Sequence, residues 1–580
     1  MYLRSSSVLA FQALLSSSVL YPLVQCSPAH LNSSHICRVL PGDAAWPDAA
    51  AWSRFNSSIG GSLIATIPEA APCHDPHFDE AACQTLKAEW DLPLGHSQYP
   101  SPIDQPWFQN GTCDPFHPRN VSCTLGNLVS YSVNVTSAAQ VSTTLRFARS
   151  KNLRIAIKNT GHDFLGKNTA KGGLGIWTHN LNSIDILWNY TSKEYAGPAI
   201  KIGAGTQAYA AYEAAHAVGY RVLGGTCPTV GLAGGYTQGG GHSALSSIYG
   251  MAADSVLEWE VVTPNGEHIT ASPESYPELY WAISGGGGGT FGVVISLTTK
   301  LYKDTPTVGA QIFFNSTSAP GSTFWEAAEK FQCGLEPIVD SGAVALFAIT
   351  NETFLAYVTA PSHTEAQIAS QLQFVTGFLD SKNATYTLKI TSDPSYFDHF
   401  ARFYGPLPGG IWETSHLIGS RLIPRSVVRN QNSAITNLYH DIVKDGDWIV
   451  SGIALNASHK VAGNKPGRNA VNPAWRQALV HTIVYSVWDW EAPISVMQAR
   501  EDHLTNYISP SLEALTPSSG TYLNEANFGQ KNWQDVFYGE NYARLLAVKH
   551  KYDPEGLLYA PTAVGADAWV LASDGRLCRA

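Results

Sequence analysis

Apolar and polar residues change their spacing repeatedly along this chain, and the changes predict elements before any motif is considered. The run VSYSVNV (129–135) alternates as a half-buried strand does. SAAQVSTTLRFARSKN (137–152) has its apolar positions at helical spacing, and LRIAIKN (153–159) reads as strand again. That order predicts a β-α-β unit with a crossover helix. A second group of the same kind follows in AIKIGAG (199–205), TQAYAAYEAAHAVG (206–219) and YRVLGG (220–225). Beyond residue 306 strand-like runs (GAQIFFN, AVALFAIT, TFLAYVTA, HTIVYSVWDW) alternate with helical TEAQIASQLQFVTGFLD, which predicts an antiparallel sheet with helices. NWQDVFYGENYARLLAVKHKYDPEGLLY near the end is amphipathic and helical, stopped by Asp553-Pro554 because proline cannot continue a helix.

Composition narrows the class. With 580 residues the chain is long enough for two or more domains, and 44% hydrophobic against 14% charged residues describes a globular protein rather than a disordered one. A net charge of -10 without any Lys/Arg-rich run argues against nucleic acid as a partner. Arg4 followed by the mostly apolar stretch from Val8 to Val24 resembles a secretory signal. Gln12, Ser16 to Ser18 and Pro22 interrupt that stretch, which favours cleavage near Cys26 or Ser27 over a membrane anchor. N-x-S/T sequons at Asn32, Asn56, Asn110, Asn120, Asn134, Asn189, Asn315, Asn351, Asn383 and Asn456 agree with export. So do the cysteines: Cys73 with Cys83, and Cys113 with Cys123, would each close a short loop in an oxidising compartment. Cys37, Cys333 and Cys578 cannot be paired from sequence. The expectation is a secreted or secretory-lumen glycoprotein, monomeric, with no membrane contact once the signal is removed.

The expected organisation is a signal over 1–26, a loop-rich disulfide-stapled segment over 27–123, and an α/β region over 124–305. An antiparallel-sheet domain covered by helices follows over 306–510, and a C-terminal segment over 511–580 returns to the α/β part. The fold class is α+β.

Three Gly-rich stretches carry the candidate chemistry. KNTGHDFLG (158–166) leaves a strand, so its backbone N–H groups are free to cradle a phosphate. GGTCPTVGLAGGYTQGGGH (224–242) holds eight glycines in its first eighteen residues, an entropic cost that a closely approaching flat ligand would offset. In LYWAISGGGGGTFGVVISLTTKL, Gly287, Gly289 and Gly292 satisfy G-x-G-x-x-G. That motif should open a helix, however, and VVISLTT reads as strand, so a Rossmann site is rejected in favour of a Gly-rich loop between strands. No metal site is expected: the Cys73-His74-Asp75-Pro76-His77 cluster fits a disulfide better. No G-x-S-x-G elbow is present. Tyr404, Trp412, Trp488 and Trp490 are either core or cavity wall.

Together these stretches resemble the FAD-binding domain of the vanillyl-alcohol oxidase/p-cresol methylhydroxylase superfamily, and more narrowly its berberine-bridge-enzyme-like group with secreted fungal members. The resemblance covers about Thr124 to Lys303 and resumes at YLNEANFGQKNWQDVFYGENYARLLAVKHKYDPEGLLY. It implies FAD bonded by His162 at the 8α-methyl carbon and by Cys227 at C6. It places Asn159, Thr160, Gly161, Asp163 and Phe164 on one side of the cofactor, and Thr226, Thr229, Gly231, Gly234 and Gly235 on the other. Val230 falls at an oxygen-access position and implies an oxidase. Where the family shows Y-x-N-Y, this chain has Tyr522, Asn524 and Glu525, so Glu525 with Tyr522 becomes the candidate base. Gly234-Gly235-Tyr236 departs from the plant-type Gly-Gly-His, leaving open what contacts the flavin N1/C2 edge. The implied activity is hydride transfer from an alcohol, a sugar or a secondary-metabolite intermediate to FAD, with O2 reduced to H2O2. A cyclase or desaturase, a flavin dehydrogenase, and a non-catalytic binding glycoprotein stay open.

Overall fold

The computed structural model describes residues 37–580. The signal segment, Cys26 and the Asn32 sequon lie outside the described residues.

The alternation in VSYSVNV buries Val133 and Val135 completely. It thereby places the strand at the heart of a four-stranded sheet made of β1 (Leu63–Ala65), β2 (Tyr131–Asn134), β3 (Ile155–Lys158) and β4 (Leu174–Trp177), ordered β1-β2-β4-β3. β2 and β3 each pair in parallel with β4. The crossover helix Ala138–Ser150 between β2 and β3 therefore skips one strand position, and its buried Val141, Leu145 and Ala148 cover the sheet.

A five-stranded antiparallel sheet follows, built from β5 (Ile184–Thr191), β6 (Ala196–Gly203), β8 (Val256–Val262), β9 (His268–Ala271) and β10 (Val293–Lys300) in the order β5-β6-β10-β8-β9. The second strand-helix-strand group corrects the expectation of a second β-α-β unit. β6 belongs to this sheet, whereas the strand after the helix is only β7 (Tyr220–Arg221), paired with β11 (Tyr302–Lys303). The glycines from Gly224 onward cannot extend a strand without loss of entropy, so the chain leaves extended geometry there. The Gly285–Gly289 run also differs in part from expectation: it joins the helix Pro277–Ile283, not a strand, to β10. The strand after it is as expected, and the Rossmann reading stays excluded.

The third sheet has seven antiparallel strands: β12 (Thr307–Asn315), β13 (Val344–Ile349), β14 (Thr353–Pro361), β15 (Thr387–Asp393), β16 (His416–Pro424), β17 (Ile449–Ala454) and β18 (Ala478–Val487). They are ordered β15-β12-β14-β13-β17-β18-β16. The helices Thr323–Cys333, Glu365–Ser381 and Arg425–Val443 bury one face, where Phe347, Val450, Val480 and Val484 join Phe331, Leu372 and Ile435 in one core. Because successive residues of a strand face opposite ways, the alternate set (Leu346, Ile453, Ile483, Tyr485) is left for the other face.

The segment 37–123 is more ordered than its texture suggests. It holds the ten-residue helices Ala49–Ser58 and Glu80–Glu89, capped by Asp48 and Asp79. Trp52, Phe55 and Ile59 keep helical spacing in and just after the first, whereas the second buries only Cys83. Both expected short-loop disulfides form, and Cys37 pairs with Cys578 across 541 residues, tying the C-terminal segment to the first described residue. Among the described residues no helix is long and apolar enough to cross a membrane.

Candidate functional site

A cavity of about 530 Å³ opens between the Gly-rich loops and the free face of the seven-stranded sheet. On the loop leaving β3, Gly161 at φ +111° turns the chain so that His162 faces the cavity, its side chain 14% exposed. The loop after β7 brings Cys227 to the same wall. His162 Nε2 lies 2.7 Å from Thr229 Oγ1 and 3.9 Å from Cys227 Sγ, and Nδ1 lies 3.4 Å from Asp104. Burial opposes charge on the imidazole, but the neighbouring Cys227 sulfur and Asp104 outweigh it and raise the His162 pKa. Burial likewise opposes a thiolate at Cys227, yet His162 and Thr229 lower its pKa. The two shifts favour an imidazolium beside a thiolate, so the Cys227 sulfur is the activated nucleophile and His162 becomes one once its proton is taken.

The two loops touch through glycine. A Cβ on Gly231 would stand 1.8 Å from Asn159 Oδ1, and one on Gly234 would stand 2.8 Å from Asn159 Cγ. Asn159 is fixed by donating to Ala204 O at 2.6 Å and Thr178 Oγ1 at 2.9 Å, while its own Oδ1 is buried with no partner among the described residues. Asp163 accepts from the Leu165 and Asn168 amides, which braces the loop. Thr160, Phe164, Thr226, Val230 and Gly235 line the cavity, and Thr229 stands directly behind the wall.

Across the cavity Tyr522, Asn524 and Glu525 arrive from the C-terminal segment. Asn524 donates to Gly235 O at 3.0 Å and to the Tyr522 hydroxyl at 2.7 Å, fastening that segment to the Gly-rich loop. Glu525 accepts from His242 Nε2 at 3.0 Å and from His481 Nε2 at 2.7 Å. Burial works against its charge, but the two histidines outweigh it and hold the carboxyl well below the usual range. His481, wholly buried, is pushed down by desolvation despite Glu525, and Tyr522 is pushed up by burial and by Glu525. The wall is thus a fixed carboxylate with imidazoles on both sides, next to a phenol that stays protonated. The three ligating atoms lie within 4.8 Å of one another, a spacing a metal ion could bridge, although the two hydrogen bonds already satisfy the carboxylate.

Neither histidine was singled out from sequence. His242 is masked by its run of glycines. His481 lies within β18, whose alternation (481, 483, 485, 487) does contain the signal that it shares a face with the cavity-lining Ile483, Tyr485 and Val487. The rest of that face is largely apolar: Leu346, Ile418, Ile449 and Ile453 beside Ser451 and His416. Of the aromatic candidates only Trp412 lines the cavity, donating to Thr226 O at 3.1 Å. Tyr404 is core, bonded to Thr359, and Trp488 and Trp490 pack near Leu417.

These residues fit FAD. The slot is walled by backbone and glycine, an orphaned buried amide oxygen offers an acceptor, and two nucleophiles face the space. Residues 129–272 match the model of the FAD binding domain, and residues 521–565 match that of the berberine and berberine-like family. FAD-linked oxidoreductase ZEB1 of Gibberella zeae is 44% identical over 94% of this chain and 96% of its own length. The crystal structure of VAO-type flavoprotein MtVAO615 from Myceliophthora thermophila C1 is 42% identical, with a TM-score of 0.90 over 94% of this chain and 100% of that one. The glucooligosaccharide oxidase of Acremonium strictum, described as carrying 6-S-cysteinyl, 8α-N1-histidyl FAD, shares the fold at 18% identity with a TM-score of 0.62, over 76% of this chain and 92% of its own. With a match to the FAD binding domain on the Gly-rich wall and a berberine-like segment closing the other, this chain belongs to the vanillyl-alcohol-oxidase-type FAD-linked oxidoreductases and is an FAD-dependent enzyme.

Proposed function

We propose that this chain is a secreted, glycosylated oxidase. Its FAD is bonded to His162 and Cys227, and its substrate is a small organic molecule bearing an oxidisable C–H next to a hydroxyl or amine. The observation that carries the reading is the meeting of an imidazole and a thiol biased toward thiolate, 3.9 Å apart, opposite an ionised carboxylate held by two histidines. FAD in this slot supplies the two-electron acceptor and hands the electrons on to O2, giving H2O2.

The chain's own residues then divide the work. Asn159, Thr160 and the Gly231–Gly235 backbone hold the cofactor, and Asn524 fixes the substrate-side segment against it. Glu525 stays ionised and is only weakly basic, so it keeps the substrate O–H or N–H oriented and stabilises the charge on His242, which lines the cavity, as that imidazole takes the proton. His481, sealed from solvent, holds the second oxygen of Glu525 in place. Val230 leaves room at the cofactor wall for O2. The largely apolar sheet face favours a biosynthetic intermediate over a sugar, whose many hydroxyls would lack partners there.

The test is direct. Purified protein should stay yellow after acid precipitation, and a substrate panel should release H2O2 with bleaching of the flavin under anaerobic conditions. Colourless precipitate refutes the covalent cofactor. Rapid bleaching with slow reoxidation by air refutes the oxidase and leaves a dehydrogenase.

A further inference from the structure

Asp104 lies in the N-terminal segment, outside both matched family regions, and is only 2% exposed. Neither of its carboxylate oxygens has a hydrogen-bond partner among the described residues. A buried carboxylate without partners is costly, so what faces it matters. Its Oδ2 lies 3.4 Å from His162 Nδ1. The carboxylate is packed beneath the turn that carries His162: a Cβ on Gly161 would meet Asp104 Oδ1 and Lys158 Cε at 3.3 Å, and the Asp104 amide donates to Gly161 O at 3.5 Å. Lys158, the nearby cation, directs its ammonium to the carbonyls of His96 and Tyr99. Cys227 approaches the opposite edge of the imidazole, at Nε2.

We propose that Asp104 is the positioning residue that prepares His162 for its bond to the flavin, so that the histidyl link depends on it and the cysteinyl link does not. This rests on the covalent-flavin reading. In forming the link, one imidazole N–H bond and one C–H bond of the flavin 8α-methyl group break, and one N–C bond forms. The two hydrogens, with two electrons, end on the flavin ring, and dioxygen then takes them as hydrogen peroxide. Alkylation leaves positive charge shared over both ring nitrogens until a proton departs. A carboxylate fixed beside Nδ1 takes the proton from that nitrogen, which frees its lone pair to attack, and offsets the positive charge on the ring. The sulfur of Cys227 needs no such help, since His162 and Thr229 already favour its thiolate.

The experiment uses the full-length secreted holoprotein as wild type, Asp104→Asn and Asp104→Glu. Each is digested, and flavin on the His162 and Cys227 peptides is quantified by mass and by absorbance. Asp104→Asn should lower occupancy at His162 at least about tenfold, the scale on which partners of a ligating histidine act. The Cys227 link and bound FAD should persist, and Asp104→Glu should restore most of the histidyl link. Wild-type occupancy at His162 in Asp104→Asn overturns the inference alone. Loss of both links together with FAD also overturns it, because it marks a folding role. Asp104→Ser, smaller and neutral, replaces Asp104→Asn should the latter fail to accumulate. A wild-type protein without flavin on either peptide refutes the cofactor reading itself.

Discussion

At Gly231 two cavity-lining loops approach closely, so replacing it by alanine probes whether that approach matters. The new Cβ would stand 1.8 Å from Asn159 Oδ1. Ordinary contact is roughly 3.5 Å, so Asn159 or the loop must move by about 1.5 Å. A shift of that size breaks the hydrogen bonds from Asn159 to Ala204 O and Thr178 Oγ1. Each contributes about 0.5–1.5 kcal/mol, and leaving the buried carbonyl of Ala204 unpaired adds about 1–3 kcal/mol. The expected cost is therefore about 2–6 kcal/mol, concentrated on the loops that present His162 and Cys227. Gly235→Ala is the matched comparison, because its Cβ meets nothing within 4 Å in the protein. Thermal unfolding and the flavin-to-protein absorbance ratio of the secreted proteins are the assay. Gly231→Ala should unfold several degrees lower and carry less flavin, while Gly235→Ala should unfold at the wild-type temperature. A Gly231→Ala protein with wild-type flavin content and stability would refute the close-approach argument.

Other outcomes follow from the same contacts. Glu525→Gln cannot accept from both His242 and His481, since its amide offers one oxygen and one donor group; losing one charged hydrogen bond, about 1.5–3 kcal/mol, should slow anaerobic flavin reduction by roughly ten- to a hundredfold without lowering flavin content. The buried His96 pairs with Glu69 at 2.6 Å, and although burial opposes its charge the pair raises its pKa from 6.5 to about 9. A raised pKa means the contribution is fully present below pH 6.5 and is lost as pH rises through about 9; Glu69→Gln should flatten the fall in unfolding temperature between pH 6.5 and 9, and an unchanged slope counts against the pair. Cys37→Ser should release the C-terminal segment and raise its hydrogen exchange locally around Leu577–Arg579, with the flavin spectrum unchanged.

Much of the fold was legible along the chain because its periods are strong. β2, the helix Ala138–Ser150 and β3 follow from alternation and helical spacing, and β12, β13, β14 and β18 of the third sheet follow from apolar strand-like runs, whereas β15, β16 and β17 were not legible. The cavity wall was legible for a similar local reason: His162 and Cys227 sit in short Gly-rich runs, whose missing side chains let backbone approach closely. Tertiary structure alone decided the rest. That β4 lies between β2 and β3, and that the helix after β6 leads into a different sheet, depends on pairings between distant strands, which no local period encodes. Cys37 could meet Cys578 only once the chain had folded across 541 residues. Asp104, His242 and His481 come from three separate parts of the sequence, and each looks ordinary in its own neighbourhood. Their chemistry arises from burial beside an opposite or complementary group, because a side chain's charge state is set by what surrounds it in space. The sequence therefore determined the Gly-rich loops that wall the cavity, and the folded structure determined which groups stand against its two ends.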